Sequence, residues 1–295
     1  MDRLPDLRIP LEALAGGGGA AAKRIHVLLP TAHGLFLVNR LEFEFPFGVA
    51  KELVERGGYD LSGLRVLKEV AAELGPDCVF WDVGANIGVH TVELSRHCRW
   101  VVALEAQRVI FQLLCANVAL NSCLNVITRW AVAGKSSERR WVPFFDYRLP
   151  GSFGSLEIEV ATDEIPGAID REQGEWVEGF ALDEGQDPFP QLIKVDVEGM
   201  ELEVLQGGAR LFERVRPVLW LEWIKSEPLE LARLLWGWDY VLYHATETDW
   251  LARPRERPLQ AVGKLELLDE GKIPRGFSGG SFQDLVRKQE NRSPA

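Results

Sequence analysis

The chain has 295 residues, 46% of them apolar and 26% charged, which is typical of a globular protein with a sizeable core and excludes a disordered chain. Its formal net charge of −11 would repel a phosphate backbone, so nucleic acid is not an expected partner. The sequence contains no apolar run of membrane-spanning length, and its cysteines follow no metal-ligand spacing. We therefore expect a cytoplasmic protein without a membrane span or a bound metal.

The first 57 residues predict an extension to the main domain. Residues 1–22 include a run of glycines and alanines and predict a loosely attached arm. The apolar runs 25–29 and 35–39 flank a turn-rich segment, which is the pattern of a β-hairpin. We expect an arm and hairpin in residues 1–57 and a single larger domain in residues 58–295.

From residue 58 onward, short apolar runs alternate with helical patterns. Strands are predicted at 78–81, 100–104, 125–132, 192–197 and 218–223, and helices at 61–74, 89–96, 109–120 and 199–212. This alternation is typical of a mostly parallel sheet with helices on both faces. Residues 146–176 interrupt the rhythm and predict either a substrate lid or a polar surface excursion.

A glycine-rich turn follows the first of these strands, with the sequence Asp82-Val83-Gly84-Ala85-Asn86-Ile87-Gly88. Ligands of open α/β sheets bind outside the carboxyl ends of the strands, and glycine lets the backbone approach them closely. The N–H groups at the start of the next helix are then expected to be free to meet an anionic group. The carboxylate of Asp82 would repel a pyrophosphate, whereas a cofactor that carries an ammonium and a sulfonium group would be attracted to it.

The second strand ends at Glu105, 21 residues after Gly84. A carboxylate at that position can accept hydrogen bonds from both hydroxyls of a ribose. Glu105 thus indicates an adenosine-type ligand, although a nicotinamide nucleotide would satisfy it equally well.

Ionisable residues gather at the end of the fourth strand, in Lys194-Val195-Asp196-Val197-Glu198-Gly199. Strand alternation predicts that Lys194, Asp196 and Glu198 lie on one side, where charges are costly unless they are paired or used. Glu222 ends the neighbouring strand. These residues are the candidate catalytic set, with Asp196 or Glu198 as the group that orients or deprotonates a hydroxyl.

The stretches 80–88 and 192–199 resemble the two signature blocks of FkbM-type methyltransferases, and further matches extend the resemblance over about residues 58–224. The resemblance implies a class I methyltransferase fold, a Rossmann-like seven-stranded sheet whose last strand is antiparallel. It also implies S-adenosylmethionine as the cofactor and O-methylation of a hydroxyl on a sugar, glycolipid or natural product. The implied cofactor contacts are Asp82, Gly84, Ala85, Asn86 and Gly88 at the methionine end, Glu105 at the ribose, and Ala131 and Val132 near adenine.

Two other functions remain open from the sequence. A nicotinamide-dependent oxidoreductase would share the sheet and Glu105, but Asn86 stands where the second glycine of its motif is expected. A catalytically inactive binding protein is the other alternative. The expected partner is a small-molecule, sugar or lipid-linked substrate, and the sequence leaves the oligomeric state open, a homodimer included.

Overall fold

The computed structural model describes residues 25–155 and 169–273. The predicted arm, residues 1–22, and the central part of the 146–176 insertion lie outside the described residues. The strands are β1 His26–Thr31, β2 Gly34–Asn39, β3 Val79–Val83, β4 Trp100–Glu105, β5 Val126–Trp130, β6 Val132–Ala133, β7 Arg140–Phe145, β8 Ile169–Val177, β9 Gly179–Phe180, β10 Leu192–Val195, β11 Val218–Glu222, β12 Tyr240–His244, β13 Asp249–Pro254 and β14 Glu266–Leu267. The helices are α1 Val49–Arg56, α2 Leu61–Leu74, α3 Val89–Ser95, α4 Arg108–Leu120, α5 Glu201–Gly207, α6 Ala209–Arg214 and α7 Pro228–Gly237.

The main sheet has the strand order β14-β12-β13-β11-β10-β3-β4-β5. The five neighbouring strands β11, β10, β3, β4 and β5 pair in parallel, and β13 lies antiparallel between β11 and β12. This arrangement confirms the predicted class I methyltransferase fold. The sheet has eight strands in the described residues instead of seven, because the two-residue β14 adds to the open edge of β12, where the Leu268 N–H donates to the Leu242 carbonyl at 2.9 Å.

Apolar side chains cover both faces of the sheet, as the doubly wound pattern requires. On β3, Phe80 packs into a core with the hairpin and helices α1 to α4, while Val79, Trp81 and Val83 pack into a second core with α5, α6 and α7. All five residues of β3 are buried, which places this strand and the turn after it at the centre of the molecule.

The predicted hairpin is confirmed by β1 and β2, which pair from His26 with Asn39 to Thr31 with Gly34. Two asparagines hold the hairpin to the domain, Asn117 on α4 and Asn121 just after its end. The buried Asn117 accepts from the Leu37 N–H at 2.6 Å and donates to the Ile87 carbonyl at 2.9 Å, which links the hairpin to the glycine turn. Asn121 accepts from the Leu35 N–H at 3.0 Å. The boundary between extension and domain near residue 57 stays a prediction.

Helix α1 occupies a stretch for which the sequence predicted no element. The buried carboxylate of Glu42 accepts from the Ala50 N–H at 3.2 Å, which satisfies a donor in the first turn of this helix. Burial raises the pKa of Glu42 to about 8, and hydrogen bonds from the backbone N–H groups of Ala50 and Val49 oppose this rise. Glu42 precedes the helix by several residues, so local sequence patterns did not predict this capping interaction.

Three predicted elements are shorter or divided. The strand predicted at 125–132 breaks after Trp130, because the Val132 N–H turns to the Glu178 carbonyl and starts a separate two-stranded sheet. The helix predicted at 199–212 divides at Gly208, where Asp183 accepts from the Leu211 N–H at 2.7 Å and caps α6. No helix among the described residues is long and apolar enough to cross a membrane.

The strand predicted at 192–197 ends at Val195, and the chain then turns. Glu198 has a φ of 56° and Gly199 a φ of 100°, both in the left-handed region. The prediction that Lys194, Asp196 and Glu198 share one side of a strand is therefore wrong for Glu198, which lies in the loop after the strand. The loop is stabilised by the buried Glu201, which accepts from the Val197 N–H at 2.9 Å.

Candidate active site

Every backbone N–H of residues 84–88 donates a hydrogen bond inside the chain. Gly84 and Ala85 donate to the Leu104 carbonyl, Asn86 to Glu105 Oε2, Ile87 to the Asn86 side chain, and Gly88 to the Ala85 carbonyl, at 2.7–3.0 Å. The expectation of free N–H groups concerned the start of the helix that follows, and it stays a prediction there; the five N–H groups of the turn itself are all used inside the chain. The turn is consequently not arranged to hold a pyrophosphate, which needs several free donors.

The glycines of the turn are required by close contacts and by backbone conformation. Gly84 has a φ of 84°, and a Cβ there would lie 1.7 Å from the carbonyl oxygen of Asp196. Gly88 has a φ of 90°, and a Cβ there would lie 2.6 Å from the Leu114 side chain. The glycine turn and the loop after β10 therefore touch through their backbones, so neither can move without the other.

Glu105 is buried and held by two backbone donors. Its Oε2 accepts from the Asn86 N–H at 2.9 Å and its Oε1 from the Gln107 N–H at 2.8 Å. Burial raises the pKa of Glu105 to about 7, and these N–H groups oppose that rise. Each carboxylate oxygen accepts more than one hydrogen bond, so Glu105 is oriented and still able to receive two hydroxyl groups.

Asp82 lies one layer behind the pocket wall. Its side chain is fully buried, its Oδ2 accepts from the Thr91 hydroxyl at 2.6 Å, and it stands beside Lys194 in the register of β3 with β10. Its Oδ1 is buried without a hydrogen-bond partner among the described residues. The Thr91 bond fixes the start of α3 against β3, so Asp82 shapes the glycine turn in addition to supplying negative charge.

One pocket gathers most of the predicted cofactor-binding residues. It is lined by Gly84, Asn86, Leu104, Glu105, Ala106, Gln107, Ala131, Val132, Ala133, Gly154, Asp196, Val197, Glu198 and Met200. Three of the predicted contacts, Asp82, Ala85 and Gly88, are not in this lining. Their roles as direct contacts stay predictions, and the structure places them as supports of the turn. From the 146–176 insertion, Gly154 forms part of the wall.

Three of the four predicted catalytic residues, Lys194, Asp196 and Glu198, take part in two ion pairs, and the fourth, Glu222, lines a neighbouring pocket instead. Lys194 Nζ lies 2.8 Å from Asp196 Oδ2, and the Lys194 side chain is only 5% exposed. Lys225, which follows β11, pairs with Glu198. Both candidate bases therefore carry a counter-ion, and both lysine side chains are largely buried.

The surroundings give the three carboxyl groups different acidities. Burial by itself would raise the pKa of Asp196, but the adjacent Lys194 charge lowers it below its usual range. Burial, with Asp196 adding to it and Lys225 opposing it, raises the pKa of Glu198 to about 7. Burial and the charges of Asp196 and Glu198 raise the pKa of Glu222 well above its usual range. The surroundings therefore make Asp196 the strongest acid of the three and make Glu198 and Glu222 weaker acids than a free glutamate.

Asp196, Glu198 and Glu222 could each bring one oxygen within 4.8 Å of the others, a spacing that suits a cation. Asp196 and Glu198 already have lysine counter-ions, so the two strongest acceptors of the group are neutralised without a metal. We assign no metal to this cluster.

Sequence reasoning missed several residues of the site. Gln107 donates to the Phe153 carbonyl at 2.8 Å and accepts from the Tyr147 hydroxyl at 2.7 Å, which ties the insertion to the pocket. Its place just after β4 was the available signal, because residues after strand ends face the ligand cleft. Lys225 follows β11 in the same way. Tyr59, which lines a second pocket beside the first, gave no comparable signal because it precedes the main sheet in the chain.

Comparisons with known proteins agree with this arrangement. A sequence profile of the family described as "Methyltransferase FkbM domain" matches residues 82–242. The hexuronic acid methyltransferase AglP of Haloferax volcanii is 29% identical over 185 residues, which are 61% of this chain and 68% of that protein.

Two solved structures also resemble the chain. The FkbM methyltransferase of Methylobacillus flagellatus matches with a TM-score of 0.43 at 19% identity, over 60% of this chain and 43% of its own. The precorrin-6y C5,15-methyltransferase of Geobacter metallireducens matches with a TM-score of 0.41 at 15% identity, over 70% of this chain and 91% of its own. The match thus spans less than half the length of the first of these structures.

Proposed function

Because this chain belongs to the FkbM methyltransferase family, we propose that it uses S-adenosylmethionine to methylate a hydroxyl group of a sugar, a glycolipid or another natural product. The proposal rests on a difference between the two ends of one pocket, in their hydrogen-bonding groups and in their charge. Its glycine turn has used its N–H groups internally, while Glu105 remains able to accept two hydroxyls and the opposite end is acidic. A cationic adenosine derivative fits this arrangement, whereas a dinucleotide pyrophosphate would find no free donor in residues 84–88.

The residues present fit such a cofactor at both ends. Glu105 would hold the ribose hydroxyls, and Ala131 and Val132 would form the apolar surface near adenine. The carboxylate of Asp196 lines the pocket where the methionine end would lie, and the buried Asp82 behind the wall would add negative charge from a greater distance. A charged ammonium group in this surrounding is stabilised by hydrogen bonds that are stronger than those between neutral groups.

When bound, S-adenosylmethionine supplies an electrophilic methyl group on a sulfonium. The chain's own residues would hold the acceptor hydroxyl in line with that methyl group and exclude water, which is the main source of rate in such a displacement. Glu198 has the pKa suited to take the hydroxyl proton near neutral pH. Asp196, held ionised by Lys194, is the weaker base and would orient the hydroxyl.

The sugar acceptor is supported by the relative from Haloferax volcanii, which acts on a hexuronic acid. A second pocket opens beside the first and shares Asn86, Gly154, Asp196 and Glu198 with it. An acceptor bound there would meet the first pocket at the two candidate bases.

The proposal is tested by incubating the full chain and tritium-labelled S-adenosylmethionine with a metabolite and glycan extract and locating the transferred methyl group by NMR. We expect an O-methyl product and its loss in Glu198→Gln. Label on nitrogen or carbon would contradict O-methylation. Binding of S-adenosylhomocysteine without transfer to any fraction would favour the inactive binding protein.

A further inference from the structure

A tyrosine between helices α1 and α2 lines the second pocket. Tyr59 shares this pocket with Asp196 and Glu198, and it is absent from the lining of the first pocket. Burial and the nearby charge of Asp196 raise the pKa of Tyr59 well above its usual range, so its hydroxyl keeps its proton. The side chain therefore offers a flat apolar ring and a hydrogen-bond donor to a molecule bound in the second pocket.

The backbone around Tyr59 is held by the turn of the N-terminal hairpin. The Ala32 N–H donates to the Gly57 carbonyl at 2.7 Å, and the Tyr59 N–H donates to His33 Nε2 at 2.9 Å. Because Nε2 accepts this bond, the proton of the neutral His33 ring lies on Nδ1, which is 3.3 Å from Glu93 Oε1. One histidine thus links the hairpin and helix α3 to the wall of the second pocket.

His33 itself has little freedom to move, since it is only 2% exposed. Its partner Glu93 also pairs with Lys68 on α2 at 3.2 Å and with Arg96 at 2.8 Å. Arg96 in turn donates to the His33 carbonyl at 2.6 Å. Hydrogen bonds to charged groups are stronger than those between neutral groups. The ring and the backbone of His33 are therefore both fixed.

The ring of Tyr59 is held from a second direction by His90, at the start of α3. The two rings meet edge to face, with their centroids 6.1 Å apart. His90 Nε2 lies 3.0 Å from Asp60 Oδ2, and Asp60 also accepts from the Gly63 N–H at 3.1 Å. Asp60 has a φ of 43°, a left-handed conformation that persists only where the surrounding contacts determine it. Contacts with the hairpin and α3, and not local backbone preference, thus place Tyr59 at the pocket.

We infer that Tyr59 binds the acceptor in the second pocket and that His33 is a positioning residue that sets the place of Tyr59. The inference rests on the proposed function, in which this pocket receives the acceptor. It gives the hairpin of β1 and β2 a task in acceptor binding, although the hairpin lies outside residues 82–242, which match the family. The first pocket has neither residue in its lining, so cofactor binding does not depend on them.

The test is a pair of substitutions at His33 that differ in reach. His33→Gln places an amide oxygen near the position of Nε2 and keeps an acceptor for the Tyr59 N–H, whereas the shorter His33→Asn reaches only Glu93. Tyr59→Leu removes the aromatic ring and the hydroxyl. The controls are His97→Gln, at an exposed histidine just after α3, and Glu270→Gln, at an exposed position on the 3-10 turn after β14.

Each variant of the full chain is titrated with S-adenosylhomocysteine by calorimetry and assayed for transfer of a tritium-labelled methyl group. The acceptor probes are the methyl glycosides of glucose, galactose and mannose, those of their uronic acids, and the glycan extract. KM and kcat are measured for the probe that reacts fastest, with a dilution series if that probe is the extract. Exchange of the Tyr59 amide hydrogen is followed by NMR.

We expect Tyr59→Leu and His33→Asn each to raise KM for that probe by about 10-fold and to change kcat by less than about 3-fold, because ground-state binding of the acceptor is lost. Affinity for S-adenosylhomocysteine should equal that of the wild type. His33→Asn should also accelerate exchange of the Tyr59 amide hydrogen, and His33→Gln should restore both KM and protection. The two controls should match the wild type throughout.

An unchanged KM in Tyr59→Leu overturns the contact with the acceptor. Equal losses in His33→Gln and His33→Asn overturn the positioning role, and so does a loss that appears in kcat and cofactor affinity instead of KM. Failure of the proposed function looks different, because the wild type itself would then not bind S-adenosylhomocysteine or would transfer no label to any probe. In that case the inference falls together with the proposed function.

Discussion

Gly84→Ala is the substitution that most directly tests the coupling of the glycine turn to the loop that carries Asp196. The new Cβ would lie 1.7 Å from the Asp196 carbonyl oxygen, and real Cβ contacts essentially never fall below 3.0 Å. The oxygen must therefore move by about 1.3 Å, the difference between these distances. Because Asp196 and Glu198 follow in the same loop, the substitution moves the candidate bases as well as the cofactor wall.

The energetic cost has two parts. The positive φ of 84° costs a residue with a Cβ about 1–2 kcal/mol, and forcing an extra methyl group into a packed contact costs about 1–3 kcal/mol more. The sum of about 2–5 kcal/mol corresponds to a fall in Tm of roughly 3–8 °C for a chain of 295 residues, at about 2.1 cal/mol/K of unfolding entropy per residue. We expect binding of S-adenosylhomocysteine to weaken by at least about 10-fold.

Gly57→Ala is the matched control, since Gly57 has a φ of 71° and a Cβ there meets nothing within 4 Å. It carries the cost of the backbone conformation without the overlap, about 1–2 kcal/mol. Both variants are compared by differential scanning calorimetry and by titration with S-adenosylhomocysteine. Equal melting temperatures for the two variants, with cofactor affinity retained in Gly84→Ala, would refute the coupling of turn and loop.

Three further predictions concern the base, its neighbour and the hairpin. In the wild type, kcat/KM should rise with pH through about 7, because only the carboxylate form of Glu198 can accept the proton. The Glu198→Gln variant should lose about 10²- to 10⁴-fold of kcat and should not show this rise. A variant that keeps the wild-type pH profile would contradict the assignment. Lys194→Met should raise the pKa of Asp196 and lower the free energy of unfolding by about 3–5 kcal/mol, because the carboxylate of a buried ion pair is left without its partner. Urea denaturation identical to that of the wild type would contradict a stabilising role of this ion pair. Asn117→Ala should cost about 1–3 kcal/mol and accelerate hydrogen exchange in β2, where Leu37 loses its partner; protection equal to the wild type would contradict this anchoring role.

The sequence predicted the central sheet well because its strands are continuous apolar runs bounded by turns. Phe80 and Trp81 are buried on opposite faces, and such a run is distinguishable from a loop by composition alone. The glycine turn and Glu105 were equally accessible, since their roles depend on short spacings along the chain. The same reasoning brought Asp196 and Glu222 to one pocket, because adjacent parallel strands end at one edge of the sheet.

The features that the sequence did not predict depend on contacts between distant segments. Three N–H groups of the turn, those of residues 84–86, bond to Leu104 and Glu105, which only the paired strands bring within reach. Glu198 lies beyond the strand, which ends at Val195, and adopts a left-handed conformation that is rare outside glycine and that no local pattern predicts. Tyr59 reaches the second pocket through the packing of α1 and α2, which no local pattern encodes.

The central claim is that the pocket between the glycine turn and Glu105 holds S-adenosylmethionine, and isothermal titration calorimetry tests it most directly. We predict micromolar binding of S-adenosylhomocysteine by the wild type and by Glu270→Gln, an affinity about 100-fold lower in Glu105→Ala through the loss of two charge-assisted hydrogen bonds, and no heat with NADH. Binding of NADH without binding of S-adenosylhomocysteine would contradict the account.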